Sequence, residues 1–393
     1  MKKNKIRFLS LLLIILLILF SANSIFAQTT SDNPELSAPS GILMEAESGQ
    51  IIYAKDKDTR RSPASVTKIM TLLLIFDNLK SGNINLNDIV TTSAHAKSMG
   101  GSQVFLEEGE TQTVETLIKC IVIASGNDAS VAMAEFLSGT EEDFVRQMNE
   151  RAKELKMQNT HFLDCCGLTD SDEHYTTAED IAIMSRELIT LHPEILQYSS
   201  IWMENIIHET RQGTTEFGLT NTNRLIRTYP GCVGLKTGST SKAKFCLCAV
   251  AARDGITLIS VVMAAPDYKA RLKDAAALLD YGFSKCSIYK DDSQEALPSI
   301  PVKHGIRDHA SLEYKENFRY LSTDGTKITN VQKTYSLPES TTAPVKKGSN
   351  AGEVIYTSED GKELGRTQIL YADTVRRLKF TDCIHRTYTN FLI

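Results

Sequence analysis

Ile69, Met70, Leu72, Leu73, Leu74, Ile75 and Phe76 follow one another so closely that a helix built from them has no polar face. A helix apolar all round must be buried on every side, so the fold has to form around this segment. Pro63 just upstream suits a helix start. In Ser65-Val66-Thr67-Lys68 the serine and the lysine stand at i and i+3, on the same side of one turn. The lysine amine is therefore held near the serine hydroxyl at the mouth of a core. Partial desolvation disfavours the charged amine, so Lys68 can act as a base toward Ser65. Such a pair supports acyl transfer through a serine without any histidine.

An isolated S-x-x-K is a weak signal, and Ser239-Thr240-Ser241-Lys242 repeats it with no buried helix behind it. The first match is set apart by two elements that follow in order. Ser125-Gly126-Asn127 lies between the apolar run from Leu117 to Ala124 and Asp128-Ala129-Ser130-Val131-Ala132. It reads as a tight turn between two buried helices, bringing a hydroxyl and a carboxamide to one place. Ser21-Ala22-Asn23 and Ser31-Asp32-Asn33 also match S-x-N, but both lie in N-terminal export or linker sequence. Lys236-Thr237-Gly238 occurs once and precedes two strand-like runs, Phe245 to Ala252 and Ile256 to Ala264, with Arg253-Asp254-Gly255 as the hairpin signal between them. The triplet belongs at or beside the edge of an antiparallel sheet. There lysine can hold an anion, threonine can bond a carboxylate, glycine leaves room, and an extended peptide can add by backbone pairing.

The ordered set S-x-x-K, S-x-N, K-T-G is that of penicillin-binding proteins and class A β-lactamases. The chain resembles the serine-type D-Ala-D-Ala carboxypeptidases, the low-molecular-mass penicillin-binding proteins. The likeness is carried by the three motifs and by Ile42 to Gly49, Pro63 to Thr71, Ser98 to Ser102, Gly167-Leu168, His174 to Ala178, and Asn221-Thr222-Asn223. The resemblance implies an α/β fold: an antiparallel sheet sandwiched by helices, a helical subdomain, and a small C-terminal all-β domain. It implies Ser65 as the acylated nucleophile, Lys68 as its proton acceptor and Ser125 as the relay toward the leaving D-alanine. Asn127 would orient Lys68 and bind the peptide. Lys236 would keep the pocket electropositive, Thr237 would contact the terminal carboxylate, and Gly238 would leave room beside it. The backbone N–H groups of Ser65 and Ser239 would form the oxyanion hole. Arg271 matches an arginine that supports carboxylate recognition. Two positions depart from the family: Lys244 and Ala264 stand where glycine is usual, which bears on substrate affinity or loop shape rather than on the chemistry.

Peptidoglycan stem peptides and, as covalent inhibitors, β-lactam antibiotics are the implied partners. The close rivals are a β-lactamase, although no E-x-x-L-N element lies between Asn127 and Lys236, and an endopeptidase acting on D-Ala cross-links. A catalytically idle wall-binding scaffold is the non-enzymatic alternative, which three intact motifs disfavour. Net charge is −5 with no basic block, so nucleic acid is not expected. The eight histidines form no metal-binding cluster and no cysteine pair has zinc-finger spacing, so neither a metal nor another cofactor is called for. Of the eight cysteines, Cys120 lies in an apolar helix, Cys165 and Cys166 are adjacent, and Cys246 and Cys248 share a strand face. Buried free thiols are favoured over bridges, since a chain this long needs no staples.

Lys2, Lys3, Lys5 and Arg7 precede an apolar stretch from Phe8 to Phe20 and a plausible cleavage site at Ser24 to Ala27, the form of a secretory signal over 1–27. The catalytic region should run over 37–284. A polar linker from Lys290 to Glu295 should lead to a β domain over 297–370. The last segment, 374–393, reads as a basic amphipathic helix, with Leu378, Thr381, Ile384, Tyr388 and Phe391 at helical spacing. Such a helix can lie in a membrane interface, here the outer face of the cytoplasmic membrane.

Overall fold

The computed structural model describes residues 33–391 apart from 212 and 293, and the signal segment expected over 1–27 lies outside them. Strands β1 (Ser40–Glu45) and β2 (Ile51–Lys55) are followed by a 3-10 turn, Ala64–Thr67, that runs directly into helix α1 (Lys68–Ser81). Every residue of α1 from Lys68 to Phe76 is buried, as an all-apolar helix demands. Gly82 ends it with φ 75°, a left-handed C-cap that glycine adopts without a steric penalty. Around α1 pack α2 (Val114–Val122), α3 (Asn127–Ser138), α4 (Glu141–Glu154) and α5 (Ala178–Leu191). Thr113, Thr140 and Thr177 cap α2, α4 and α5, each side chain accepting a backbone N–H three residues on.

Strands β3 (Cys232–Thr240), β4 (Lys244–Arg253) and β5 (Ile256–Ala265) complete a five-stranded antiparallel sheet in the order β2-β1-β5-β4-β3. The Lys236-Thr237-Gly238 strand is thus an edge. Asp254 (φ 50°) and Gly255 (φ 78°) form the two-residue hairpin between β4 and β5. Strand alternation sorts the side chains: Cys246, Cys248 and Val250 join the core of the helical layer, whereas Leu247, Ala249 and Ala251 join the core under helix α6 (Tyr268–Lys285). None of the eight cysteines is in a disulfide, and seven are buried.

The β domain starts earlier than its expected boundary at 297. Ser287–Lys290 already pairs with Arg319–Ser322, and Asp291, at the head of the expected linker, is buried. A four-stranded sheet, ordered Leu312–Tyr314, Glu363–Tyr371, Asn350–Thr357, Gln332–Ser336, surrounds Val354, Tyr356 and Ile369. Phe318 stacks on Tyr356 at 3.8 Å. Arg319 ties this domain to the catalytic part through Glu47 and through the carbonyl of Gly255, 2.6 Å away.

The tail is not helical over all of 374–393. Val375 bridges to Val345 and Arg377 to Gly305, and Val375 is buried in the β core, so that domain holds the chain extended. Helix α7 begins at Phe380 and runs to Phe391. Among the described residues no helix is long and apolar enough to cross a membrane.

Candidate active site

Ser65 sits in the 3-10 turn ahead of α1, and Lys68 is the first residue of that helix. The lysine Nζ lies 3.1 Å from Ser65 Oγ, 2.6 Å from Asn127 Oδ1 and 2.7 Å from the carbonyl oxygen of Cys166. Burial pulls its pKa below the ordinary lysine value, while the negative side chains of Asp164 and Asp128 oppose that pull. A neutral amine has two N–H groups and one lone pair. With the two carbonyl oxygens taking the N–H groups, the lone pair is left for the serine hydroxyl.

Asn127 opens α3 immediately after the turn at Ser125, whose φ of 65° is left-handed. Its Nδ2 donates to the carbonyl of Gly100 at 2.7 Å, which fixes the amide so that Oδ1 faces Lys68. The Ser125 hydroxyl is buried and has no hydrogen-bond partner among the described residues. A buried unsatisfied hydroxyl costs roughly 1–3 kcal/mol, the signature of a group kept for chemistry or a ligand.

Lys236, Thr237 and Gly238 lie on β3, all buried, and Ser239 beside them is exposed. Burial drives the Lys236 pKa well down, helped by the neighbouring basic groups of Lys68 and Arg271. Its Nζ donates to the carbonyl of Thr237 at 3.1 Å. Thr237 Oγ1 donates to Thr222 Oγ1 at 2.7 Å. Arg271, on α6, reaches the carbonyls of Gly238 and Cys246 with Nη1, both at 3.3 Å, and its Nε is buried without a partner among the described residues. The guanidinium therefore ties the end of β3 to β4 and keeps donor capacity in reserve. All nine residues singled out from the sequence thus converge on the junction of the sheet edge and the helical layer.

Sequence reasoning assigned no role to the loop 163–169. Asp164 Oδ1 accepts the N–H of Cys166 at 2.9 Å and its Oδ2 that of Thr169 at 2.8 Å, folding the loop into a turn. The turn aims the carbonyl of Cys166 at Lys68, and the carbonyl of Cys165 accepts from Thr71 Oγ1 at 2.5 Å. Gly167 rests on the nucleophile turn so closely that a Cβ there would stand 1.9 Å from Ala64 O. His174 completes the brace. Its Nδ1 accepts the N–H of Leu163 at 3.0 Å, and its Nε2 lies 2.9 Å from Thr67 Oγ1. Burial lowers its pKa, so the ring is neutral with the proton on Nε2. The aspartate-glycine spacing of this loop was the available signal.

A family model described as D-alanyl-D-alanine carboxypeptidase matches residues 27–267, and one described as penicillin-binding protein 5, C-terminal domain, matches residues 283–377. The chain belongs to the D-alanyl-D-alanine carboxypeptidase family. Within the family, D-alanyl-D-alanine carboxypeptidase DacF of Bacillus subtilis is 40% identical over 387 residues, which is 97% of each chain. The structure of penicillin binding protein 5 from Haemophilus influenzae is similar with a TM-score of 0.67 at 30% identity, covering 88% of this chain and 99% of that one. D-alanyl-D-alanine carboxypeptidase DacD from Francisella tularensis gives 0.65 at 28% identity, covering 88% and 95%. Both the sheet-and-helix catalytic part and the C-terminal β domain are family features.

Proposed function

We propose that this chain is a serine D-Ala-D-Ala carboxypeptidase that removes the terminal D-alanine of peptidoglycan stem pentapeptides. One observation carries the reading: the Lys68 amine has carbonyl oxygens at 2.6 and 2.7 Å and the Ser65 hydroxyl at 3.1 Å. Neutral Lys68 takes the serine proton as Ser65 Oγ attacks the penultimate D-alanyl carbonyl. The developing oxyanion lies against the backbone N–H groups of Ser65 and Ser239. The proton passes through the unpartnered hydroxyl of Ser125 to the departing D-alanine nitrogen. Thr237 and Arg271 receive the terminal carboxylate, whose negative charge favours the ammonium form of Lys236 nearby. Water then hydrolyses the ester. β-Lactams acylate the same serine.

The test is D-alanine release from a diacylated L-Lys-D-Ala-D-Ala peptide by the native chain beside Ser65→Ala. Release by the first and not the second is expected. A folded native chain that releases no D-alanine would remove the carboxypeptidase reading.

Export to the outer face of the cytoplasmic membrane is part of the same proposal. It is supported by the basic residues ahead of Phe8 to Phe20 and by α7, where Phe380, Ile384 and Tyr388 are all exposed at four-residue intervals. Co-flotation with anionic vesicles that is lost on truncation after Lys379 is the expected result.

A further inference from the structure

One imidazole fastens the nucleophile turn to the loop beside it. His174 Nδ1 accepts the N–H of Leu163 at 3.0 Å, and its Nε2 donates to Thr67 Oγ1 at 2.9 Å. Both His174 and Thr67 are buried, and Thr67 stands between Ser65 and Lys68 in the chain. Two residues past Leu163 the loop presents the carbonyls of Cys165 and Cys166, which accept from Thr71 and Lys68. The ring therefore holds the turn that carries Ser65 and the loop that aims a carbonyl at Lys68. It touches no atom that reacts.

This double hold depends on the charge of the ring. A neutral imidazole with its proton on Nε2 has one donor and one acceptor, which is what Thr67 and Leu163 require. A second proton must go to Nδ1, where it would face the Leu163 N–H and leave that group without an acceptor. The loop then has to move, and the Cys166 carbonyl with it. A pocket of about 380 Å³ beside the ring, walled by Arg60, Arg61, Lys242, Asp172 and Glu173, gives a proton a route from solvent. Burial opposes the charged ring most, and Asp164 favours it while His161 and Lys242 oppose it. Across the pocket Arg60 and Arg61 oppose the charge, and Asp172 and Glu173 favour it. The net effect holds the ring below its ordinary value of 6.5.

We propose that His174 is a positioning residue: it keeps Ser65 and Lys68 in attacking geometry while uncharged and releases them when Nδ1 is protonated. The proposal rests on the reading of Ser65 as nucleophile and Lys68 as base. Two protons then close the acid limb of acylation, one on Lys68 and one on His174. At the foot of the limb the rate falls with about the second power of the proton concentration rather than the first.

The experiment follows acylation by a fluorescent penicillin between about pH 4.5 and 8.5, over the span in which circular dichroism shows the chain folded. His174→Gln offers Thr67 an N–H, His174→Asn offers Leu163 an oxygen, and neither side chain takes up a proton. Both should acylate about tenfold more slowly than the native chain at about pH 8 and show a one-proton limb, against its two-proton limb. Variants as fast as the native chain, a native limb of one proton, or a two-proton limb that survives in both variants overturns the proposal. If neither variant folds, the native limb and the His174 ring resonance decide, the latter found by cross-relaxation with Phe162, 5.9 Å away. A ring that gains its proton with the second step of the limb supports the proposal, and one that does not titrate there overturns it. A chain that takes up penicillin but releases no D-alanine removes the carboxypeptidase reading and leaves the His174 result to stand or fall by its own limb. A folded chain that takes up no penicillin overturns both.

Discussion

Gly238 lies against the backbone nitrogen of Ser65: a Cβ built on the glycine would stand 3.0 Å from that nitrogen, 2.9 Å from Val66 N and 2.7 Å from Pro63 O. All three neighbours are backbone and cannot swing aside. The missing side chain therefore sets the gap between the sheet edge and the nucleophile turn. Gly238→Ala should force β3 away from Ser65 by a few tenths of an ångström and lower β-lactam acylation about 100-fold. Overpacking of this kind costs roughly 1–3 kcal/mol, so melting should fall by only a few degrees. Stopped-flow acylation with a fluorescent penicillin, paired with a thermal melt, separates the two effects.

The lowered pKa of Lys68 makes activity fall on the acid side as the amine gains its proton. Asn127→Asp would place a carboxylate where the amide oxygen now lies 2.6 Å from Nζ. A negative neighbour favours the ammonium form, so the acid limb of the kcat/KM profile should move to higher pH. A limb that stays in place would mean that another group sets it.

Stability should respond in the same direction. Lys236 is held well below its ordinary value of 10.5 by burial, then by the charges of Lys68 and Arg271. Between the lowered value and 10.5 the unfolded chain binds a proton that the folded chain does not, so stability rises with pH through that window and levels off above it. Lys236→Met should flatten the slope. Urea unfolding at a series of alkaline pH values measures it.

Lys244 and Ala264, the two residues found where glycine is usual, have φ of 57° and 58°. Both are left-handed, which costs a side chain roughly 1 kcal/mol. Lys244 is exposed, so Lys244→Gly removes this strain without opening a cavity. It should raise stability by up to about 1 kcal/mol, less whatever the freer unfolded chain takes back. A melting temperature at or slightly above that of the native chain is the expected reading.

Asp291 is buried between Lys333 Nζ at 2.7 Å and the Tyr356 hydroxyl at 2.9 Å. Asp291→Ala strands that hydroxyl inside the β domain and should cost it about 2 kcal/mol. The only tryptophan, Trp202, belongs to the catalytic part and does not report on this region. Denaturation followed by far-ultraviolet circular dichroism is the measurement, and β-lactam acylation should stay at the native rate.

What could be read in advance was what side chains encode. The all-apolar run required a buried α1, the Asp254-Gly255 pair called for the hairpin, and the strand runs beside Lys236 pointed to a sheet edge. Backbone contributions left little trace. The group of Cys166 that faces Lys68 is its backbone carbonyl, 98 residues away along the chain, and its placement depends on the Asp164 turn. Asp291 sits in a polar run that reads as solvated, and long-range partners, Lys333 and Tyr356, draw it inside. The tail periodicity extends the expected helix back to 374 because a local pattern does not show that Val375 is claimed by Val345.

The sealed thiols turn the molecule into its own clock for opening. Burial pushes Cys232 and Cys246 up to about 11 and Cys248 up to about 12, so at neutral pH almost none of them is nucleophilic in place. An alkylating reagent added to the native chain should mark Cys383 at once, because that residue is exposed. Cys246 and Cys248, whose side chains lie between the sheet and the helical layer, can be marked only when those two layers separate, and Cys120 only when the helical layer itself loosens. Counting marks against time at each position would rank which part of the fold lets go first, and an acylated Ser65 should slow the ones nearest to it.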